Sequence, residues 1–230
     1  MVAAPFTVFD YRKDIRNIIV SPEIRGRFLR MEPVEVGPWH SHDVGHEIFL
    51  VLDGVAEFEI AGHTQLVGPG QLCIAWAGEK HEVRTHGDQP MTLFLAVTPH
   101  LEPTHTFWSR SEEPLPPHYA SWTVAGLADQ PAPVASLTAL ATRVVAATRQ
   151  FSTALDSLTG SQQRSFAALA AAESMGDKAA IKPAIDAVWP DMRATYVRMR
   201  ELEQAWNDLT LRLAGEQSSY PMPEKRDAER

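Results

Sequence analysis

The stretch His40-Ser41-His42-Asp43-Val44-Gly45-His46-Glu47-Ile48-Phe49-Leu50-Val51-Leu52-Asp53-Gly54 puts ligand chemistry and a strand signal side by side. It places three histidines and a glutamate within eight residues, then an apolar run closed by the turn signal Asp53-Gly54. In an extended strand alternate side chains share a face, so His40 and His42 point the same way, about 7 Å apart. Glu47 opens the apolar run, and a fourth candidate ligand, His81, lies in Gly78-Glu79-Lys80-His81-Glu82-Val83. Two or three imidazoles and a carboxylate from neighbouring strands can hold a divalent metal on one side and leave positions open.

At these residues the chain resembles the cupin family. His40-x-His42-x4-Glu47-x6-Gly54 matches the first cupin motif from its first histidine onward, with Val34 where the leading glycine would fall. Gly70-x5-Trp76-x-Gly78-x2-His81-x3-Thr85 matches the second, with Trp76 at the proline position and Thr85 at the asparagine position. The resemblance covers roughly residues 25–100. It implies a jelly-roll barrel (a double-stranded β-helix) and one metal ion held by His40, His42, Glu47 and His81. Fe(II) is favoured, with Mn(II), Ni(II), Cu(II) and Zn(II) as alternatives. The family spans oxygenases, isomerases, lyases, sensors and storage proteins, so the match implies fold and metal rather than substrate.

On either side of this stretch, turn signals recur at Asp53-Gly54, Ala61-Gly62, Gly68-Pro69-Gly70, Ala77-Gly78 and Gly87-Asp88. They separate β-rich runs at 47–52, 55–60, 64–67, 71–76, 81–86 and 91–98, the rhythm of an antiparallel sandwich or barrel. Upstream, Phe6–Phe9, Ile18–Val20 and Arg27–Glu35 read as further strands, with Pro33 marking an edge or bulge. By parity, an inward Glu47 brings Phe49 and Val51 inward and turns His46 out; an inward His81 brings Val83 and Thr85. Trp39, Phe49, Trp76 and Phe94 are candidate lining residues. His63, His86, His100, His105 and His118 are expected at the surface or in ordinary hydrogen bonds, with His86 a candidate for the barrel mouth. Cys73, in an apolar run, is expected to be a small buried hydrophobe.

Residues 101–133, rich in proline and aromatics such as Phe107, Trp108, Tyr119 and Trp122, read as packed irregular chain leaving the barrel of residues 1–100. Over 134–215 the period becomes helical. Leu137, Leu140, Val144, Phe151, Leu155 and Leu158 form one stripe, with Gly160 as a stop. A second run ends at Gly176, Asp177 caps a third, and Pro183 and Pro190 break the chain beyond that cap. The last helix carries Met192, Tyr196, Met199, Leu202, Trp206, Leu209 and Leu213 at near-heptad spacing and closes at Gly215. The expectation is two long antiparallel helices joined by a shorter one, their apolar faces serving core or interface, then a polar tail at 216–230.

Composition narrows the function. The net charge of −8 lies entirely within residues 1–130, so no basic nucleic-acid footprint exists and adhesion to an anionic membrane is disfavoured. No apolar run approaches the ~20 residues of a membrane span. The N-terminus lacks the charged and apolar regions of a signal peptide, and the single cysteine fits a reducing compartment, so a cytoplasmic protein is expected. The expectation is therefore a metal-dependent enzyme acting on a small molecule by dioxygenase-type oxidation, with lyase and isomerase chemistry as variants. The alternative is a sensing barrel with a helical dimerisation region. A homodimer is expected in either case. No general base emerges: Thr85 cannot serve alone, and His86 or Tyr119 would have to reach the pocket.

Overall fold

The computed structural model describes residues 6–109, 111–119 and 135–214. Trp122, Gly215 and the tail 216–230 lie outside the described residues. The described chain divides into two compact units: a β unit ending at Val134, to which the end of the last helix is also assigned, and a helical unit, Ala135–Leu209.

The β unit consists of β1 (Asn17–Val20), β2 (Arg25–Met31), β3 (His40–Ser41), β4 (His46–Asp53), β5 (Ala56–Ile60), β6 (His63–Val67), β7 (Leu72–Ala75), β8 (His81–Thr85), β9 (Met91–Thr98) and β10 (Thr106–Phe107). These form two five-stranded antiparallel sheets, β1-β2-β9-β4-β7 and β10-β3-β8-β5-β6. The turns fall where the glycines and prolines demand them. Gly54 takes φ 71°, and a Cβ there would stand 2.4 Å from the Pro90 carbonyl, so only glycine closes this corner.

The core lies between the sheets. Phe49, Val51, Met91, Leu93 and Leu95 from the first meet Ala56, Phe58, Val67 and Val83 from the second. The Phe49 and Phe58 rings sit 4.7 Å apart at their centroids. Burying each such side chain contributes roughly 1.5–3 kcal/mol. Strand parity is as expected on β4, where Glu47, Phe49 and Val51 are buried and His46 is half-buried.

Three details of the β unit differ from expectation. Phe6–Phe9 joins no ladder, and Phe6 and Val8 are exposed. The β2 strand ends at Met31, because Pro33 and Val34 form a turn with Val34 at φ 61°. Phe94 faces away from the core, edge-on to Phe28 at 5.8 Å, because Leu93 and Leu95 hold the inward positions.

The helical unit contains α1 (Leu137–Met175), α2 (Lys178–Asp186) and most of α3 (Trp189–Ala214). Ser136 caps α1 by accepting from the Ala139 amide, and Gly176 ends it in the left-handed conformation. Asp177 then caps α2 through the Ala179 and Ala180 amides. Contrary to expectation, Gly160 stops nothing: α1 runs through it for 39 residues. An interior glycine costs about 1 kcal/mol, too little to end a helix held by packing on both sides. Pro183 likewise lies inside α2.

Cross-links between α1 and the α2–α3 arm run in descending order: Arg143 to Asp208, Thr195 to the Ala154 carbonyl, Ser157 to Asp191, and Ser161 to the Ala187 carbonyl. That order fixes an antiparallel hairpin. Its buried positions are mostly small, including Ala147, Ser161, Ser165, Ala172, Thr195 and Ala205, and Tyr196 is exposed rather than part of the stripe. Among the described residues no helix is long and apolar enough to cross a membrane.

Candidate metal centre

Four side chains converge between the two sheets. His40 and His81 are register partners on β3 and β8, which brings their rings to 4.3 Å. His42 comes directly after β3, and its ring lies 5.1 Å from that of His40. Glu47 faces them from β4 of the other sheet and is 2 % exposed. One donor atom from each of the four lies within 4.8 Å of all the others, a group that could hold a metal ion. All four residues singled out by spacing are thus brought together.

The hydrogen bonds indicate the tautomer of each ring. His40 Nδ1 lies 2.9 Å from the Pro38 carbonyl, and His81 Nδ1 lies 2.8 Å from the Glu79 carbonyl. His42 Nδ1 meets the Thr104 carbonyl. A carbonyl only accepts, so each Nδ1 carries a proton and donates it, leaving each neutral ring with a bare Nε2. The three Nε2 atoms then face one oxygen, Glu47 Oε2, at 2.8 Å from His42, 3.0 Å from His81 and 3.5 Å from His40. His40 Nε2 is buried without a hydrogen-bond partner.

Lone pairs facing lone pairs at such distances need a cation between them. Protonating His40 is one way to supply it, and burial opposes that. Burial first, then the charges of His81 and His42, push His40 down to about 4 against the pull of Glu47. For Glu47, burial alone would raise the carboxyl; the pull of the adjacent His42, His40 and His81 rings prevails and holds it well below the usual carboxylate range. Three imidazole nitrogens and one carboxylate oxygen suit Zn(II), Fe(II), Mn(II), Ni(II) or Cu(II), so the donor set fits the expected ion. The backbone carbonyls behind the imidazoles are the outer partners that fix ring orientation in metal sites.

His105, expected at the surface, is instead buried inside. Its ring lies 4.9 Å from His40 and 4.8 Å from His42 and stacks on Phe107 at 5.6 Å. Burial, reinforced by the charges of His42, His40 and Arg25, holds it neutral, well below the usual histidine range. It arrives there because β10 pairs with β3, Phe107 opposite His40. Only that pairing could have revealed it, and two residues of strand leave no periodic signal. His100 is also buried, 3.4 Å from Glu102.

The other candidates lie outside the cluster. His46 points outward, accepts the Ala77 amide at 2.9 Å and packs edge-on to Trp76, which is 55 % exposed and lines nothing. Trp39 is buried, and Thr85 faces inward from β8. His63 is exposed, His86 lies 3.7 Å from Glu57 at half exposure, and His118 is near Phe107. Cys73 packs against the core, and burial pushes its thiol up to about 12.

A cavity of about 370 Å³ opens beside the cluster, where His40, Glu47 and His105 meet Arg25, Arg27 and an apolar wall that includes Leu29, Phe49 and Leu95. Neither His86 nor Tyr119 lines it. The arginines escaped the sequence reading, although β2 alternation groups them with Leu29 and Met31.

Residues 27–98 match the family described as the cupin domain. Solved structures show partial similarity. A conserved protein with a double-stranded β-helix domain from Klebsiella pneumoniae is 19% identical over 41% of this chain and 91% of that one, with a TM-score of 0.39. DMSP lyase DddQ from Ruegeria pomeroyi is 28% identical over 40% of this chain and 46% of that one, with a TM-score of 0.36. KdgF from Halomonas sp. is 19% identical over 37% of this chain and 78% of that one, with a TM-score of 0.35. No curated protein matches the chain.

Proposed function

Taking residues 27–98 as the cupin domain they match, we propose that the chain is a metal-dependent enzyme acting on a small molecule. One divalent ion would be held by the Nε2 atoms of His40, His42 and His81 and by the Glu47 carboxylate. The observation that carries this reading is the convergence of three bare Nε2 atoms on one carboxylate oxygen, each ring aimed by a backbone carbonyl. When bound, the ion supplies Lewis acidity, and as Fe(II) the capacity to activate O₂; dioxygenase-type oxidation is the reaction class proposed.

The chain's own residues do the rest. Glu47 and the three imidazoles would hold the ion, and His40 and Glu47 border the cavity where substrate would enter. His105, held neutral, lines the cavity beside His40. The apolar wall excludes water around the reacting atoms.

A second reading keeps the barrel and drops turnover: a ligand-binding module whose helical unit dimerises. It draws on the apolar side chains Phe166, Trp189, Tyr196 and Val197, all exposed on that unit. A homodimer in the cytoplasm belongs to both readings, and light scattering tests the dimer. Metal analysis of protein purified without chelator, beside His42→Ala and His81→Ala, tests the site. About one ion per wild-type chain, lost in both variants, supports the enzyme reading, and oxygen uptake with iron-loaded protein then tests the reaction class. No metal in the wild type, and none taken up on reconstitution, overturns the enzyme reading.

A further inference from the structure

The cavity holds more positive charge than the metal site explains. Arg25 and Arg27 alternate with Leu29 and Met31 along the inward face of β2, and both arginines line the cavity. Arg25 is 1 % exposed. The Nε atoms of both are buried without a hydrogen-bond partner, and neither guanidinium forms an ion pair among the described residues; Glu47 and Glu102 act on Arg25 only through space. Arg30, paired with Glu32 at 3.0 Å, and Glu35 stand at the exposed rim.

An unpaired buried charge is among the most destabilising features a fold can carry. A core needing only bulk at these positions would use methionine or leucine, as β2 does at residues 29 and 31. Burial lowers Arg27 to about 10, with the charge of Arg25 adding to the effect and Glu47 opposing it, so it stays charged at neutral pH. Two adjacent guanidinium forks suit a planar or tetrahedral anion, which accepts two hydrogen bonds from each fork.

We propose that the substrate is a small organic acid whose anionic group docks on Arg25 and Arg27 while its body lies along Leu29, Phe49 and Leu95. Only the position of the reacting end, against His40 and Glu47, rests on the metal reading above. The cavity volume suits a molecule of about ten to fifteen non-hydrogen atoms, within the lower range of small-molecule sites.

The test is calorimetric titration of the full chain with four probes of one body: benzoate, phenylphosphonate, benzenesulfonate and neutral benzamide. Each is measured on protein as purified and after chelator treatment, with metal content recorded. At least one anion should bind tenfold or more tighter than benzamide in both preparations. Arg27→Gln should erase that preference while keeping metal content and circular dichroism. If Arg27→Gln does not fold, Arg27→Lys, which keeps charge but loses the fork, should weaken the anion several-fold and leave benzamide unchanged. Benzamide binding as well as every anion overturns the proposal. So does an anion preference that survives Arg27→Gln undiminished, which removes Arg27 from the anion site. Anion preference in protein that takes up no metal retains the arginine pocket and refutes the metal reading; metal uptake without anion preference does the reverse.

Discussion

Arg25 and Glu47 occupy one row of the first sheet, two strands apart, with Val97 of β9 between them. Two strand spacings put their Cα atoms roughly 10 Å apart; no ion pair joins them, and Arg25 senses the charge of Glu47 through space. Both are buried, and both face one cavity. The next row repeats the arrangement without the carboxylate: Arg27, Leu95, Phe49 and Cys73. The sheet therefore sets a cationic row on β2 against a carboxylate on β4 that faces the histidine cluster.

Glu47→Gln keeps the shape of the site and removes its only anion. The variant should stay folded and lose metal affinity by more than the roughly 10–100-fold typical of losing an outer partner. Competition with a chromogenic chelator reads this directly; unchanged affinity would remove Glu47 from the ligand set.

Stability of the metal-free protein should fall on the acid side. The folded-state value of His40 is depressed from 6.5 to about 4, so the unfolded chain binds the proton first. The contribution of a neutral His40 is whole above pH 6.5 and is lost between pH 6.5 and 4, on the order of 3 kcal/mol. Glu47, also depressed, extends the loss at still lower pH. Urea midpoints across this range check the slope, and His40→Gln should flatten it.

Gly160→Ala should stabilise the helical unit by about 0.5–1 kcal/mol. The added Cβ meets only the end of the Arg164 side chain, at 3.3 Å, which can move. A lower melting temperature would mean that the glycine serves something other than the helix.

Cys73, with its thiol raised to about 12, should resist alkylation in the native protein at pH 8 and react fully in denaturant. Mass spectrometry after iodoacetamide distinguishes the two states.

The cluster of His40, His42, Glu47 and His81 was legible because two short motifs carry it. His40-x-His42 and Glu47 lie within one turn-bounded stretch, and Gly78 fixes where His81 must begin its strand. Other parts were not legible, for separate reasons. Met91–Val97 is apolar on both faces, so nothing in it says that Leu93 and Leu95, rather than Phe94, look inward. Along β2 one face carries Arg25 and Arg27 and the other Gly26 and Phe28, and hydrophobicity favours the wrong one. The position of His105 depends on a pairing more than sixty residues apart in sequence, which no local pattern encodes. Gly160 misled because a glycine is a strong stop only where the chain can turn left-handed, as Gly176 does at φ 67°.

The hold of the Thr104 carbonyl on the His42 ring also sets a schedule for synthesis. His40, His42 and Glu47 leave the ribosome first, His81 is next, and Thr104 with its neighbour His105 comes last. At about 5–20 residues per second the gap from His42 to Thr104 lasts roughly 3–12 seconds. During that interval His40, His42 and Glu47 have been made, and the residues that aim His42 have not. In the proposed metalloenzyme, metal selection would therefore be a late event, decided by a nearly finished barrel rather than by the motif that announces it.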